Sequence, residues 1–191
     1  MDIIKENFYE ILKTVDNVEE STINKLLEIH SFQNVKKGTD VSIQGNIDDR
    51  EYILIDGIIR EYVINEKGKD ITMNFFTKGF ITPGFCRTND GISILSIQAL
   101  TNCIIGISDS AELNKIRIED RNFFEVSGKI MTKFFKEKIQ TQIIHSSQPA
   151  KNRLEFFRKR FPGLENEVSN AYIASYLGIT NVSLSRLRKI K

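Results

Sequence analysis

The sequence predicts an α+β protein in which helical segments flank an antiparallel β-sandwich or barrel and a helix-turn-helix forms the C-terminal end. Three observations predict it. Eight of the 11 glycines fall between residues 38 and 106, where they separate short β-branched runs. Apolar residues recur at helical spacing on both sides of that region. The net charge of +2 is uneven, because residues 151–191 hold nine basic and three acidic residues, whereas the rest of the chain is net acidic.

Residues 3–30 are expected to be helical, since no glycine or proline interrupts them. A Ser21-Thr22 pair reads as the start signal of a second helix. The apolar residues that recur at helical spacing are Phe8, Ile11, Leu12 and Val15 in the first cluster, and Ile23, Leu26, Leu27 and Ile29 in the second.

Strand-length runs follow, separated by glycines at intervals of about 8–12 residues, which is typical of an antiparallel sandwich or barrel. The Asp56-Gly57 pair predicts a hairpin with a two-residue turn, and residues 66–69 predict another hairpin. The expected strands lie within residues 52–56, 58–64, 70–76, 92–100 and 103–107.

Helical spacing returns from Ser110 to about Ser146, and the stretch from about Glu119 predicts a helix of near 27 residues, roughly 40 Å long. The adjacent phenylalanine pairs widen the apolar face of this helix. The face is wider than a helix needs if it only packs one side against a small barrel. We therefore expect part of it to form a subunit interface resembling a coiled-coil seam, and the alternative is a long core helix within one subunit. The candidate interface residues are Phe123, Phe124, Ile130, Met131 and Phe134.

Residues 146–149, Ser-Ser-Gln-Pro, form the best linker in the chain, because proline ends a helix. The predicted domains are therefore residues 1–146, with a dimerisation helix at about 111–146, and residues 150–191, which carry the basic excess.

Residues 170–190 predict a helix-turn-helix. Ser169 or Asn170 can cap the first helix, and Gly178 suits the positive φ of a tight turn between helices. Thr180 can cap the second helix, whose buried side is expected to be Leu184, Leu187 and the stem of Lys191. The small Ala174, four residues before the glycine, allows the two helices to cross closely.

The opposite side of the second helix has the composition of a surface that reads duplex DNA. No acidic residue follows Glu167, Arg186 can contact guanine and Asn181 can contact adenine. The alternative is a helical hairpin that only packs. The predicted base-reading residues are Asn181, Val182, Ser185 and Arg186. The predicted phosphate contacts are Ser169, Asn170, Thr180, Ser183, Arg188 and Lys189.

These segments resemble the Crp–Fnr group of bacterial transcription regulators. Residues 36–70 look like the family's cyclic-nucleotide-binding-like β-roll, and residues 152–190 resemble its DNA-binding region, with the specific part at 173–180 and 184–186. The resemblance implies a homodimer on a two-fold symmetric DNA operator with half-sites roughly 34 Å apart. It implies no cofactor and leaves RNA polymerase as a candidate contact.

The sequence departs from that family in three places. Residues 79–89 hold no acidic residue for a ribose, and residues 91–96 hold no arginine for the phosphate, since Arg87 precedes them by several residues, so cyclic AMP binding is not favoured. The candidate effector pocket is Phe80, Arg87 and Ser93, with the effector unknown.

The chain's two cysteines are too few to hold an iron–sulfur cluster, for which the oxygen-sensing members of the family generally use four. Cys86 and Cys103 are expected to be buried, with a redox role for Cys86 beside Arg87 as the alternative. No wing hairpin follows the second helix, which leaves Arg188, Lys189 and Lys191 as terminal cations.

Other classes have little support. The two histidines, His30 and His145, lie far apart in sequence, and no nucleophile, P-loop or zinc motif occurs, so neither an enzyme nor a metal site is expected. No apolar stretch is long enough to span a membrane, and the N-terminus lacks a signal peptide, which predicts a cytoplasmic protein without membrane contact. The functional alternatives are a regulator with an atypical cyclic-nucleotide pocket and a ligand-free module that binds protein or RNA.

Overall fold

The computed structural model describes residues 2–81 and 86–189, over which the chain forms seven α-helices and eight strands. The backbone of Asp2 is described without its side chain, and the predicted packing of the Lys191 stem lies outside the described residues. The helices are α1 (Asp2–Lys13), α2 (Glu20–Ile29), α3 (Ser110–Glu119), α4 (Arg121–Ser147), α5 (Ala150–Arg160), α6 (Asn170–Tyr176) and α7 (Asn181–Lys189).

The strands form two four-stranded antiparallel sheets that together make the β-roll. One sheet has the order β1-β8-β3-β6 and the other has the order β2-β7-β4-β5. The α+β class is therefore confirmed. The strands are β1 (Ser31–Val35), β2 (Asp40–Ser42), β3 (Arg50–Asp56), β4 (Ile59–Ile64), β5 (Asp70–Phe76), β6 (Gly79–Ile81), β7 (Ser96–Ala99) and β8 (Cys103–Asp109).

The predicted hairpin at Asp56-Gly57 is wrong, because β3 and β4 belong to different sheets and the chain crosses between them at this point. Gly57 has φ +103°, and a Cβ there would lie 2.6 Å from the Cys103 sulfur. The second hairpin is confirmed: Ile64 pairs with Asp70, and the Asn65 side chain accepts from the backbone N–H of Lys67 and Lys69 at 3.0 Å each. A strand pattern alone does not show whether two neighbouring strands pair or face each other.

The Ser21-Thr22 start signal is also wrong by two residues. Helix α2 begins at Glu20, so both hydroxyls lie inside its first turn. Thr22 is fully buried, and its hydroxyl donates to the Asp120 carboxylate at 3.2 Å. The residue that looked like a cap is therefore a contact between α2 and the start of α4.

Helix α4 has the predicted 27 residues. Asp120 separates it from α3 and caps it, since its carboxylate accepts from the Phe123 backbone N–H at 2.9 Å. At the other end α4 continues through Ser147, so only Gln148 and Pro149 separate it from α5. The linker is thus half as long as the sequence suggests, because neither serine interrupts the helix.

Three hydrophobic clusters hold the elements together. One fills the space between the two sheets, and the second joins α1 and α2 to the outer face of the β1-β8-β3-β6 sheet. The third joins α5, α6 and α7 to the β-roll through Ile58, Phe75 and Leu100. The Phe75 ring lies 5.5 to 5.9 Å from the rings of Phe157, Phe161 and Tyr176. The C-terminal helices therefore share a core with the roll.

Candidate nucleic-acid interface

Helices α6 and α7 form the predicted helix-turn-helix. At the end of α6 the Gly178 N–H donates to the Ser175 carbonyl at 3.0 Å, and the Ile179 N–H donates to the Ala174 carbonyl at 2.9 Å. This is a Schellman turn, which requires a residue at positive φ, and Gly178 has φ +64°. Ala174 and Leu184 are buried where the two helices pack.

Side-chain oxygens cap both helices. Ser169 Oγ accepts from the Ala171 backbone N–H at 3.2 Å, so Ser169 rather than Asn170 caps α6. Thr180 Oγ1 accepts from the Ser183 backbone N–H at 3.1 Å, and the two hydroxyls lie 2.9 Å apart. These bonds fix where α7 begins, and Asn181 and Val182 in its first turn are exposed.

The predicted base-reading side of α7 is open. Asn181, Val182, Ser185 and Arg186 are all exposed, and Val182 retains 61% of its accessible surface. Lys189 is exposed on the same side. Within the described part of the chain, neither Arg186 nor Lys189 has a hydrogen bond or an ion pair. Two cations and two small polar groups are thus available to a partner.

Arg188 differs from these residues, because the chain already holds its guanidinium. Its Nε donates to Glu165 at 2.9 Å and its Nη1 donates to Asn170 Oδ1 at 2.7 Å. Glu165 also accepts from Arg158 at 2.5 Å. Burial alone would raise the pKa of Glu165, but the hydrogen bonds from Arg158 and Arg188 outweigh it and hold the pKa below its usual value. Two predicted phosphate contacts, Asn170 and Arg188, therefore bind each other in the free chain, and sequence reasoning missed Glu165 as their anchor.

Helix α6 is attached to the β4–β5 hairpin by a buried arginine. The Arg60 guanidinium lies between two rings, 4.2 Å from the Tyr62 centroid and 3.8 Å from that of Tyr172 on α6. It also makes a bidentate pair with Asp70, with both distances 2.6 Å. One helical turn further on, Ser175 Oγ accepts from the Thr72 backbone N–H at 3.0 Å. The roll thus sets the position of the helix-turn-helix.

The structure separates the five predicted interface residues of α4. Phe123 is 3% exposed and belongs to the core formed with α1 and α2, so it is not available to a partner. Ile130 and Phe134 are half-buried and line a groove facing α5, whereas Phe124 is exposed, Met131 is half-buried, and both border the cleft between the roll, α3 and α4. The α4 residues that form an outward apolar row, here named the exposed stripe, are Phe124, Met131, Phe135, Ile139 and Ile143. Sequence reasoning missed the last three of these, although their spacing of four residues was visible.

The predicted effector residues are only partly brought together. Phe80 and Arg87 line a cleft of about 1310 Å³ between the roll, α3 and α4. Ser93 does not line it: its side chain is buried and donates to the Leu95 carbonyl at 2.7 Å. Arg87 is occupied, because it donates to Ser110 Oγ at 2.8 Å, to Glu51 at 3.3 Å and to the Arg50 carbonyl.

The cysteines are buried, as expected. Burial, together with the charge of Glu61, raises the pKa of Cys86 to about 12, and the opposite effect of Arg87 is too small to compensate. Arg87 thus acts in the predicted direction, but burial outweighs it and favours the neutral thiol of Cys86. Cys103 donates to the Ile58 carbonyl at 3.4 Å.

Two further findings concern the described residues only. None of the helices that they form combines the length and apolar character needed to cross a bilayer. They also contain no cluster of three or more histidine, cysteine or carboxylate side chains placed to hold a metal ion.

The chain resembles solved structures of transcription regulators over most of its length. With the c-di-GMP responsive global regulator CLP of Xanthomonas campestris it shares 13% identity and a TM-score of 0.73, covering 90% of each chain. With FixK2 of Bradyrhizobium japonicum the values are 15% and 0.72, over 84% of this chain and 83% of that one. With a Crp/Fnr-family regulator of Eubacterium rectale they are 17% and 0.66, over 89% and 82%. No protein-family model and no curated protein matches the sequence. The chain has the fold of the Crp–Fnr regulators.

Proposed function

We propose that this chain, which has the Crp–Fnr fold, is a cytoplasmic transcription regulator that binds a specific DNA operator as a homodimer. The observation that carries the proposal is the open side of α7. It presents exposed Asn181, Ser185 and Arg186 on a helix that contains no acidic residue and whose start is fixed by Thr180. A helix presented in this way fits the major groove, where base edges carry a distinct pattern of donors and acceptors.

The side chains of α7 divide into two roles. Arg186 suits a bidentate contact to guanine, Asn181 suits adenine, and Val182 offers an apolar contact to a thymine methyl group. Lys189 suits a phosphate, as do the hydroxyls around the first turn, Thr180 and Ser183. Ser169 and Asn170, at the start of α6, are further phosphate candidates. Arg188 reaches a phosphate only by leaving Glu165 and Asn170.

The two roles predict different outcomes when each cation is removed. Arg186→Ala should weaken binding to the selected operator by about 1–3 kcal/mol and relax the preference at one base position. Lys189→Ala should weaken binding to specific and random duplexes alike and reduce the salt slope by about one. Operators are first selected from random DNA with the full chain, and affinities are then measured by fluorescence anisotropy at several salt concentrations.

Lys151→Ala is the matched control, because Lys151 is an exposed cation of α5 outside the helix-turn-helix. Equal losses on specific and random DNA for Arg186→Ala would contradict its base-reading role. If the selection returns no preferred sequence, or if the chain prefers RNA, the second candidate function, an interaction module, replaces the first.

The exposed stripe supports the homodimer. Phe124, Ile139 and Ile143 are each more than half exposed although they are large and apolar. At 100° per residue they lie on one side of α4 with Met131, and a stripe of this length along a 27-residue helix fits an antiparallel or parallel helix pair. A second copy of α4 covers the stripe in a two-fold arrangement, which also pairs two α7 helices for two half-sites.

Ile139→Glu should convert a dimer into a monomer, because each copy would bury an unpaired carboxylate in the interface. Sedimentation equilibrium measures the change, and binding to a palindromic operator should fall with it. Gln140→Glu is the control, since it adds the same charge on another side of α4. A wild-type chain that is monomeric at micromolar concentration would overturn the dimer.

The sensory part is proposed to lack the usual cyclic-nucleotide pocket. Side chains of Tyr52, Leu54, Ile59, Leu95 and Ile97 fill the space between the sheets, and Arg87 is already bound to Glu51 and Ser110. Titration calorimetry with cyclic AMP, cyclic GMP and c-di-GMP should therefore give no binding heat. Saturable binding of any of the three would show that an atypical pocket operates. Contact with RNA polymerase remains a prediction of the resemblance.

A further inference from the structure

A second groove lies between the sensory roll and the C-terminal helices. It has a volume of about 720 Å³ and is bounded by the end of α1, by β5 and β6, by the middle of α4 and by α5. Its size falls within the range of small-molecule sites, about 300–1,000 Å³. It shares Ile130 and Glu137 of α4 with the larger cleft, and Phe134 belongs to this groove; at 100° per residue the three lie on average about 145° around the helix from the exposed stripe.

The groove joins an aromatic wall to an excess of positive charge. Its apolar surface includes Phe75, Phe76, Phe134, Phe156 and Phe161. Its cations are Lys78, Lys129, Lys133, Lys159 and Arg160, against two carboxylates, Asp16 and Glu137. Aromatic rings favour an apolar or aromatic body, and the charge excess favours an anionic group.

The lysines of the groove are not neutralised by carboxylates. Lys78 donates to Asn7 Oδ1 at 3.3 Å and Lys129 donates to the Asp16 carbonyl at 2.8 Å, so both use neutral acceptors. Lys133 and Lys159 have no hydrogen bond or ion pair to any residue that the structure describes. Among the described residues, Arg160 is the one cation of the groove that has an ion pair, with Glu137 at 3.2 Å. An incoming anion therefore finds four lysines without displacing an ion pair.

We infer that this groove binds an amphiphilic anion, a single carboxylate or phosphate attached to an acyl or aryl body. The body would lie against the phenylalanine rings of β5, α4 and α5, and the head would lie between Lys133 on α4 and Lys159 on α5. A cationic amphiphile would face the same rings but would meet repulsion at the rim. The sign of the head group is thus the discriminating feature.

Occupation of the groove would couple the roll to the C-terminal helices. Lys133 belongs to α4 and Lys159 to α5, on the two sides of the Gln148-Pro149 break. An anion shared between them changes the spacing of α4 and α5, and with it the setting of α7 relative to its copy. This second step rests on the proposed function, whereas the binding itself does not.

The binding test uses calorimetry on the full chain with dodecanoate, at concentrations below those at which it forms micelles. Wild-type protein should bind dodecanoate at least roughly tenfold more tightly than dodecyltrimethylammonium. The double variant Lys133→Gln/Lys159→Gln should bind it roughly tenfold more weakly, which corresponds to two partly exposed charge contacts. The double replacement by arginine should retain binding, and Lys151→Gln, on the same α5 helix, should be unaffected.

Equal affinity for the two amphiphiles, or an unchanged affinity in the double glutamine variant, would overturn the inference. A second experiment measures binding to phosphatidylglycerol vesicles, because a bilayer of this lipid also presents anionic head groups attached to acyl chains. Vesicle binding without binding of free dodecanoate would show a membrane surface instead of an enclosed ligand, and would also overturn the inference.

The coupling is read separately from operator affinity. Dodecanoate should change the affinity of the wild-type chain for its selected operator at least threefold and leave that of the double glutamine variant unchanged. Binding of dodecanoate without any change at the operator would remove the coupling and keep the site. A chain that selects no operator would remove the proposed function, while the calorimetry would still decide the site.

Discussion

Gly57 marks the point where the chain leaves one sheet for the other. Its φ of +103° is readily adopted by glycine but strained for other residues. A Cβ there would also overlap the Cys103 sulfur at 2.6 Å and the Asn102 carbonyl oxygen at 2.7 Å. Gly38 has a similar φ, +89°, with no atom within 4 Å of a Cβ. Alanine substitutions at Gly57 and Gly38 therefore distinguish the cost of backbone strain from the cost of steric overlap.

Gly57→Ala should therefore lower the free energy of unfolding by about 2–5 kcal/mol, from strain and overpacking together. Gly38→Ala should lower it by about 1–2 kcal/mol, from strain alone. Urea unfolding followed by circular dichroism measures both. Equal losses in the two variants would show that the crossing tolerates a Cβ.

At the scale of the element, the start of α4 depends on one carboxylate. Asp120 accepts from the Phe123 backbone N–H, from the Thr22 hydroxyl and from Lys25, whose Nζ lies 2.6 Å away. Burial alone would raise the pKa of Asp120, but the bonds from Lys25, Phe123 and Thr22 outweigh it and lower the pKa. One residue thus ends α3 through its backbone N–H, and its side chain begins α4 and attaches it to α2.

Asp120→Ala should lower the free energy of unfolding by about 2 kcal/mol, because it removes the cap and leaves buried Thr22 without its acceptor. Asp120→Asn keeps an oxygen for the cap and should cost about half as much. Hydrogen exchange should show faster opening of the first turn of α4 in the alanine variant. Unchanged protection there would contradict the capping role.

At the scale of the whole molecule, the roll and the C-terminal helices are joined at a positively charged corner. His145, near the end of α4, lies with its ring 4.9 Å from that of Tyr176, and its Nε2 is buried without a partner among the described residues. Burial lowers the pKa of His145, and the positive charges of Arg153 and Arg160 lower it further by a smaller amount. The native protein therefore resists a proton that the unfolded chain accepts near pH 6.5.

The sign of the pH effect follows from this difference. As the pH falls below about 6.5 the unfolded chain binds more protons, so wild-type stability should fall by up to about 1.4 kcal/mol per pH unit for this histidine. His30 acts in the same direction, since burial also lowers its pKa. Urea midpoints at pH 7.5 and 5.5 should differ less in His145→Gln than in the wild type. The same difference in both proteins would refute the role of His145.

The basic C-terminal segment and the helix-turn-helix could be predicted from the sequence, because both depend on local patterns. Gly178, Ala174, Leu184 and the caps lie within a few residues of one another, and each acts through its neighbours along the chain. For the same reason the length of α4 and the β4–β5 turn were predicted correctly.

Only the tertiary structure decided which groups are free. Arg186 and Arg188 stand two residues apart in one basic helix, yet one is open and the other is held by Glu165, 23 residues away in the chain. Phe123 and Phe124 are adjacent, yet one is in the core and the other is exposed. The Asp56-Gly57 turn joins two sheets instead of one hairpin. Long-range packing sets each of these outcomes, and a local pattern carries no information about residues that come together only in the folded chain.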